Sequence, residues 1–109
     1  MRQTFNKLVR DGIPAKLDAA GVRYEIRTAA PGELEALLLA KLQEEVDELL
    51  GAASDDEALE EIADISEVLA ALATRHGANE ALLRAKQRAK RDARGGFEEG
   101  IVLCWTESA

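Results

Sequence analysis

Four acidic side chains form two pairs, and each pair has the spacing that places two residues on one face of a helix. Glu45 and Glu48 lie in "LQEEVDELL", and Glu61 and Asp64 lie in "LEEIADISEVL". Residues three apart are neighbours on a helix surface, so two packed helices would bring the four carboxylates together. Unless a cation lies between them, such charges raise each other's pKa values. All-oxygen ligation favours Mg²⁺ or Mn²⁺, so the spacing predicts a divalent-metal site.

The positions of Glu45 and Glu61 relative to the apolar residues support this prediction. At about 100° per residue, Glu45 lies at the edge of one apolar stripe and Glu61 lies inside another. A carboxylate in an apolar stripe must be paired, protonated or bound to a cation. Lys41 is the only base between Glu33 and Glu67, so pairing would need Lys41 or the bases of a third helix. Acids that we expect to face water instead are Asp47, Asp55, Asp56, Glu60 and Glu67.

Composition and charge distribution narrow the class of protein. The chain has 109 residues, one cysteine and a net charge of −7. We expect a single domain over residues 1–109, with no disulfide framework, no nucleic-acid partner and no membrane span. The opening "MRQTFNKLVRDG" has no apolar signal core, which favours a soluble protein of the cytoplasm. Acids dominate the middle of the chain, whereas bases dominate residues 84–94.

Periodicity and capping residues predict three long helices. The first runs from about Glu33 to Leu50 before Gly51, and the second from about Asp55 to Arg75, with Ser54 and Glu57 as a capping box and Gly77 at its end. Asn79 caps a third helix that ends near Arg94. The predicted buried positions are Leu38, Leu39, Leu42, Val46, Leu49 and Leu50 on the first helix, and Leu59, Ile62, Ile65, Val68, Leu69 and Leu72 on the second.

Shorter elements complete the predicted fold, which is mainly α. "GIPAKLDAAG" predicts a short helix with Pro14 in its first turn and Gly21 as a left-handed stop. "VRYEIRT" alternates as a half-buried strand, and "IVLCW" after Gly95 and Gly96 is a second, so the two are expected to pair. Three helices bury their apolar stripes poorly alone. We therefore expect a four-helix-type bundle completed by a second copy of the chain.

The basic third helix has two interpretations. Mg²⁺ held by few carboxylates shares its coordination shell with substrate phosphates. Lys86 and Lys90, one turn apart, could then meet the phosphates that the metal does not cover. Alternatively, the bases of this helix simply neutralise the acidic pair of helices.

The motifs resemble one known superfamily over nearly the whole chain. "EEVDE", twelve residues and "EIAD" resemble the EExxE…ExxD signature of the MazG-like, all-α nucleoside triphosphate pyrophosphohydrolases, which include phosphoribosyl-ATP pyrophosphohydrolases. "NKLVRDGIP" and "RGGF" resemble a small house-cleaning subgroup in which "NKLVRDKIP" is typical. Gly12 departs from the usual Lys of that motif.

The resemblance implies a hydrolase that cleaves a nucleoside triphosphate between its α and β phosphates, in a homodimer or homotetramer. The implied Mg²⁺ ligands are Glu45, Glu48, Glu61 and Asp64. Glu44, or Glu45 in its place, would orient or deprotonate the attacking water. Lys86 and Lys90 are implied triphosphate contacts, and Arg94 is a further candidate.

The opening segment allows two interpretations. In the first, its side chains cover the nucleotide; the candidates are Asn6, Lys7 and Arg10. In the second, Asp11 caps the short helix and Arg10 pairs with an acidic helix.

Two other functions stay open at the level of sequence. One is phosphoribosyl-ATP hydrolysis in histidine synthesis, although "NKLVRD" is not typical of that branch. The other is a non-catalytic helical dimerisation module that binds a basic partner. That module would need exposed acids and gives no reason for Glu61 inside an apolar stripe.

Overall fold

The chain folds into four helices in a computed structural model that describes residues 1–108. In chain order they are α1 (Ile13–Ala19), α2 (Leu34–Leu50), α3 (Asp55–Arg75) and α4 (Glu80–Arg94). The prediction of a mainly α fold with one short and three long helices is confirmed, and the helix boundaries agree with those predicted to within about one residue, the usual uncertainty of a helix end.

Local capping explains where the long helices begin. The Ser54 hydroxyl accepts a hydrogen bond from the Glu57 backbone N–H at 3.2 Å, and the Glu57 carboxylate accepts one from the Ala53 N–H at 2.9 Å. Asn79 Oδ1 accepts a hydrogen bond from the Leu82 N–H at 2.8 Å at the start of α4. The bonds from Glu57 and Leu82 satisfy N–H groups that a helix leaves without partners in its first turn, and the bond from Ala53 holds the residue before the N-cap.

The residue that caps the start of α1 is not Asp11, which one interpretation of the opening segment had predicted. The N-cap of α1 is Gly12, with no side-chain hydrogen bond, so the proposal that Asp11 caps this helix is wrong. Pro14 lies in the first turn as predicted, because its missing N–H costs nothing there. Gly21 follows the helix with a φ of 68°, the left-handed conformation predicted for it.

The fold is built around the antiparallel hairpin of α2 and α3. These two helices pack along each other, whereas α4 contacts α3 only lightly and has no buried residue. At the end of the hairpin away from the α2–α3 turn, a contact joins the start of α2 to the end of α3: His76 Nε2 lies 2.7 Å from Glu35 Oε1. The buried side chains of the described residues are Leu38, Val68 and the charged Glu45.

Much of the predicted apolar stripe is exposed in the single chain. Leu50 is 81% exposed and Leu59 is 62% exposed, and Leu39, Ile62 and Leu69 are also exposed. A two-helix hairpin covers only the sides that face each other, so the remaining apolar residues have no cover. The prediction that they are buried is therefore wrong for one isolated chain.

The predicted pair of strands is also not formed. Residues 22–28 and 101–105 contain no strand, and among the described residues no backbone hydrogen bond joins the two segments. Alternation of polar and apolar residues selects a face but not a pairing partner, and here neither segment meets one within its own chain.

No helix within residues 1–108 has both the length and the apolar character that crossing a membrane requires.

Candidate metal centre

Three of the four predicted metal ligands come together on the facing sides of α2 and α3. Glu45, Glu61 and Asp64 each offer a carboxylate oxygen, and these oxygens all lie within 4.8 Å of one another. Glu45 is only 5% exposed, and the other two are half-buried. The group arises because Glu45 occupies the inner edge of α2 while Glu61 and Asp64 are neighbours one turn apart on α3.

Two oxygens of this group are buried without a partner. Glu45 Oε2 and Glu61 Oε2 form no hydrogen bond with any described residue. The other oxygen of Glu45 lies 3.5 Å from Lys41 Nζ. The predicted alternative, pairing with Lys41, is therefore confirmed for one of the two Glu45 oxygens. A buried, unpaired carboxylate oxygen is costly, and either a proton or a cation can serve as its partner. The three carboxylates could therefore hold a metal ion.

Neighbouring carboxylates shift the pKa of Glu61. Its pKa is raised to about 7, first because its protonated form hydrogen-bonds to Glu45, then because of desolvation, and then because of Glu48. Repulsion between close carboxylates was predicted from their spacing. Holding a proton is the way in which a metal-free cluster of this kind lowers its charge.

Glu48, the fourth predicted ligand, lies at the margin of the cluster. It is exposed and acts on Glu61, but it is outside the group of three mutually close carboxylates. An open groove of about 570 Å³ begins at Glu48 and Glu61 and continues toward the α2–α3 turn. The sequence had not predicted this groove, which is formed by a turn and not by a periodic pattern.

The opening segment lies across both acidic helices. Lys7 Nζ is 2.6 Å from Glu44 Oε1, and Arg10 Nη2 is 2.7 Å from Asp64 Oδ1. The hydrogen bond from Lys7 lowers the pKa of Glu44, and the same bond raises the pKa of Lys7. The interpretation in which Arg10 pairs with an acidic helix is confirmed. Asn6, which has a φ of 46°, lines a small cavity with Lys7 and Glu44.

Glu44, the candidate for activating water, is held by two lysines. Besides Lys7, Lys41 Nζ lies 3.4 Å from Glu44 Oε2. Both cations favour the ionised form, which keeps this carboxylate negative and fixed in orientation next to Glu45.

The predicted phosphate-binding bases on α4 are not joined to the cluster. Lys86, Lys90 and Arg94 are exposed, and the ion pairs of α4 within residues 1–108 join Arg84 to Glu80 and Arg91 to Glu98. The interpretation in which α4 neutralises the acidic helices of its own chain is therefore not met. Its predicted bases remain available to other groups.

We compared the chain with protein-family models, with curated proteins and with solved structures, and none of the three comparisons found a match.

Proposed function

We propose that this chain is a metal-dependent nucleoside triphosphate pyrophosphohydrolase, which releases a nucleoside monophosphate and pyrophosphate. The observation that supports the proposal most is the group formed by Glu45, Glu61 and Asp64, with two of its buried oxygens unpaired. A dimerisation module has no use for such a cluster, because unpaired buried carboxylates destabilise a fold. An ion of the Mg²⁺ or Mn²⁺ type satisfies them.

The residues of the cluster would hold the ion between α2 and α3. Glu45, Glu61 and Asp64 would each supply an oxygen, and Glu48, at the margin of the cluster, would be the fourth ligand. When bound, Mg²⁺ polarises phosphate oxygens and offsets the charge that develops on the leaving pyrophosphate. A bound ion would favour the ionised form of Glu61, since the ionised carboxylate is the metal ligand.

Glu44 is the residue that we assign to the attacking water. Lys7 and Lys41 hold its carboxylate as an anion, which suits it to accept a hydrogen bond from water and fix the direction of attack. Glu45, whose oxygens already face Lys41 and the metal position, is the alternative. Glu44→Gln should therefore reduce turnover while leaving metal binding intact, whereas Glu45→Gln should reduce both.

The bases of the opening segment and of α4 would bind the triphosphate. Lys7 contacts Glu44 and Arg10 contacts Asp64, with Asn6 beside Lys7, so a nucleotide bound at the cluster would meet this segment. Lys86 and Lys90 form an exposed cationic pair on α4 that suits the distal phosphates, and Arg94 extends it.

We further propose that the active protein is a homodimer or homotetramer. The exposed leucines and isoleucines of α2 and α3 form an apolar face that a second hairpin would cover, which gives a four-helix bundle. A role in removing surplus or non-standard nucleotides would place the protein in the cytoplasm.

The test is product analysis. The purified chain is incubated with a panel of nucleoside triphosphates and Mg²⁺ or Mn²⁺, and the products are separated by anion exchange. Formation of monophosphate and pyrophosphate in equal amounts, abolished by EDTA, is the expected result. Diphosphate with inorganic phosphate would contradict cleavage at the α–β bond. Release of neither product from any nucleotide would refute the assignment, with phosphoribosyl-ATP as the next substrate.

A further inference from the structure

Residues 22–28 form an alternating segment that exposes its apolar side. Val22 is 49% exposed, Tyr24 is 40% exposed and Ile26 is 59% exposed. Two contacts hold the segment to the helices around it: the Tyr24 hydroxyl donates to Asp18 at 2.9 Å, and Arg27 pairs with Glu33. Within residues 1–108, the backbone between residues 23 and 29 makes no backbone hydrogen bond. The segment is therefore anchored but unpaired.

The chain following α4 has the same character. Ile101 is 86% exposed, Leu103 is 77% exposed and Trp105 is 73% exposed. Their alternation with Val102 and Cys104 places them on one side of an extended chain. In the described part of the chain, residues 101–108 also make no backbone hydrogen bond. A long apolar segment with free N–H and C=O groups is a ready partner for another strand.

We propose that residues 101–105 of one copy pair as a β-strand with residues 22–28 of a second copy, and that the exchange is reciprocal. The row formed by Ile101, Leu103 and Trp105 then lies on the same face as Val22, Tyr24 and Ile26. Both segments have an exposed apolar row and free backbone groups, and each would serve as the pairing partner of the other. This contact is separate from the α2–α3 face and does not depend on the proposed enzymatic activity.

The arrangement of the helices favours a second copy over the same chain. Arg27 is held at the start of α2, and the contact between Glu35 and His76 places that end of the hairpin next to the start of α4. From there, α4 carries the chain away by about 22 Å over its length, at about 1.5 Å per residue. The ion pair of Arg91 with Glu98 then holds the beginning of the tail at the far end of α4.

The exchange pairs the free backbone groups of both segments and brings their apolar rows side by side. In each exchange, Tyr24 and Trp105 share one face of the ribbon with four aliphatic side chains. Cross-strand pairs of aromatic and branched side chains stabilise a ribbon of this kind. Two-fold symmetry uses both segments of both copies.

Cys104, the only cysteine, allows a direct test by disulfide cross-linking. If the apolar rows share one face of the ribbon, Cys104 shares the other face with the polar residues of the partner strand. Residues directly opposite each other in a two-stranded ribbon have Cα atoms about 4.5–5.5 Å apart, which suits a disulfide. The test positions, each changed to cysteine in turn in a chain that also carries Cys104→Ser, are Arg23, Glu25 and Arg27. The controls, in the same Cys104→Ser background, are exposed positions outside both segments, Glu67→Cys on α3 and Arg88→Cys on α4.

Each tagged variant is mixed with the untagged natural chain and oxidised with diamide. Non-reducing electrophoresis then measures the mixed covalent dimer, and far-UV circular dichroism verifies that the helices are intact. We expect at least one test position to form the mixed dimer about 100-fold faster than the controls, because pairing raises the local thiol concentration from micromolar to millimolar. Equal rates at all positions, or no mixed dimer, would overturn the proposal.

A second arm of the experiment places each new cysteine in a chain that keeps Cys104. If both thiols of such a chain disappear and the chain remains a monomer, the two segments have paired within one chain. That result, in the absence of mixed dimers, would also overturn the proposal. Trp105, the only tryptophan, gives an independent readout. Its emission should shift to longer wavelength on dilution of the natural chain, and Ile26→Asp should show the shifted emission at all concentrations. Emission that does not change with concentration would contradict the exchange.

Discussion

Replacing Glu45 by glutamine should stabilise the metal-free protein while removing its response to Mg²⁺. Glu45 is buried, and its Oε2 has no partner in the described chain. Glutamine keeps the shape of the side chain and removes the charge, and its amide can donate a hydrogen bond to Glu61. Lys41 loses its ion pair with Glu45 and keeps its ion pair with Glu44 at 3.4 Å. If Glu45 were only a structural carboxylate, its substitution would instead lower the stability of the metal-free protein and leave the response to Mg²⁺ unchanged.

The expected magnitudes follow from the burial of that oxygen. Leaving a buried polar group unpaired costs about 1–3 kcal/mol. Recovering about 1 kcal/mol of it raises the melting temperature of a domain of this size by about 4 °C. In the natural protein, Mg²⁺ at about 100 times its Kd should add about 2.7 kcal/mol of stability, or roughly 10 °C. In Glu45→Gln, that increase should be mostly lost.

Thermal unfolding followed by circular dichroism, in EDTA and in Mg²⁺, measures both effects. The pH is kept above the Glu61 pKa of about 7, so that no proton of Glu61 pairs with Glu45 in the metal-free protein. Glu67→Gln is the matched control, because Glu67 is an exposed acid on α3 and its substitution should change stability by less than about 0.5 kcal/mol in either buffer. If Glu45→Gln unfolds at a lower temperature in EDTA and keeps the full increase with Mg²⁺, Glu45 serves only as a partner of Lys41. That result would refute the assignment of Glu45 to the metal.

Three further predictions concern pH, helix capping and substrate affinity. The pKa of Glu61 is about 7 in the folded chain, against 4.5 for an unperturbed glutamate, so between these values the folded state binds the extra proton. The stability of the metal-free protein should therefore fall as pH rises toward about 7 and level off above it. In Glu61→Gln, this decline in melting temperature should be flatter. An equal decline in both proteins would contradict the raised pKa of Glu61. Ser54→Ala should cost about 1 kcal/mol, seen as a lower urea midpoint, since it removes the hydrogen bond to Glu57 N–H; an unchanged midpoint would show that the cap contributes nothing. Lys90→Ala should raise KM for the triphosphate about tenfold, the loss of one charge-assisted hydrogen bond, and leave the Mg²⁺-dependent rise in melting temperature intact; an unchanged KM would remove Lys90 from the substrate site.

The long helices were predictable because their signals are local. Ser54 and Asn79 cap the helices that follow them through bonds to residues only three positions away, so the sequence contains both partners in one short stretch. The placement of Glu45 and Glu61 followed from helical periodicity for the same reason. Once α2 and α3 form a hairpin, the edge of one stripe faces the other, and the two carboxylates meet.

Contacts between distant residues could not be placed from the sequence. Lys7 and Glu44 are separated by 37 positions, and Arg10 and Asp64 by 54, and no periodic pattern relates either pair. The predicted β element did not form for a related reason. Alternation indicates which side of residues 22–28 is apolar, but the identity and the chain of the pairing partner depend on the tertiary arrangement. The apolar residues left exposed on α2 and α3 show the same limit, since periodicity predicts a buried face without saying what buries it.

Pyrophosphate release by the natural chain, Glu61→Gln and Glu67→Gln is the most direct test of the central claim, that the carboxylates between α2 and α3 hold a metal for nucleotide hydrolysis. We predict Mg²⁺-dependent release by the natural chain and by Glu67→Gln, and loss of both Mg²⁺ binding and release in a folded Glu61→Gln protein. Full activity of Glu61→Gln would contradict the claim, because the same buried cluster could not then be the catalytic metal site.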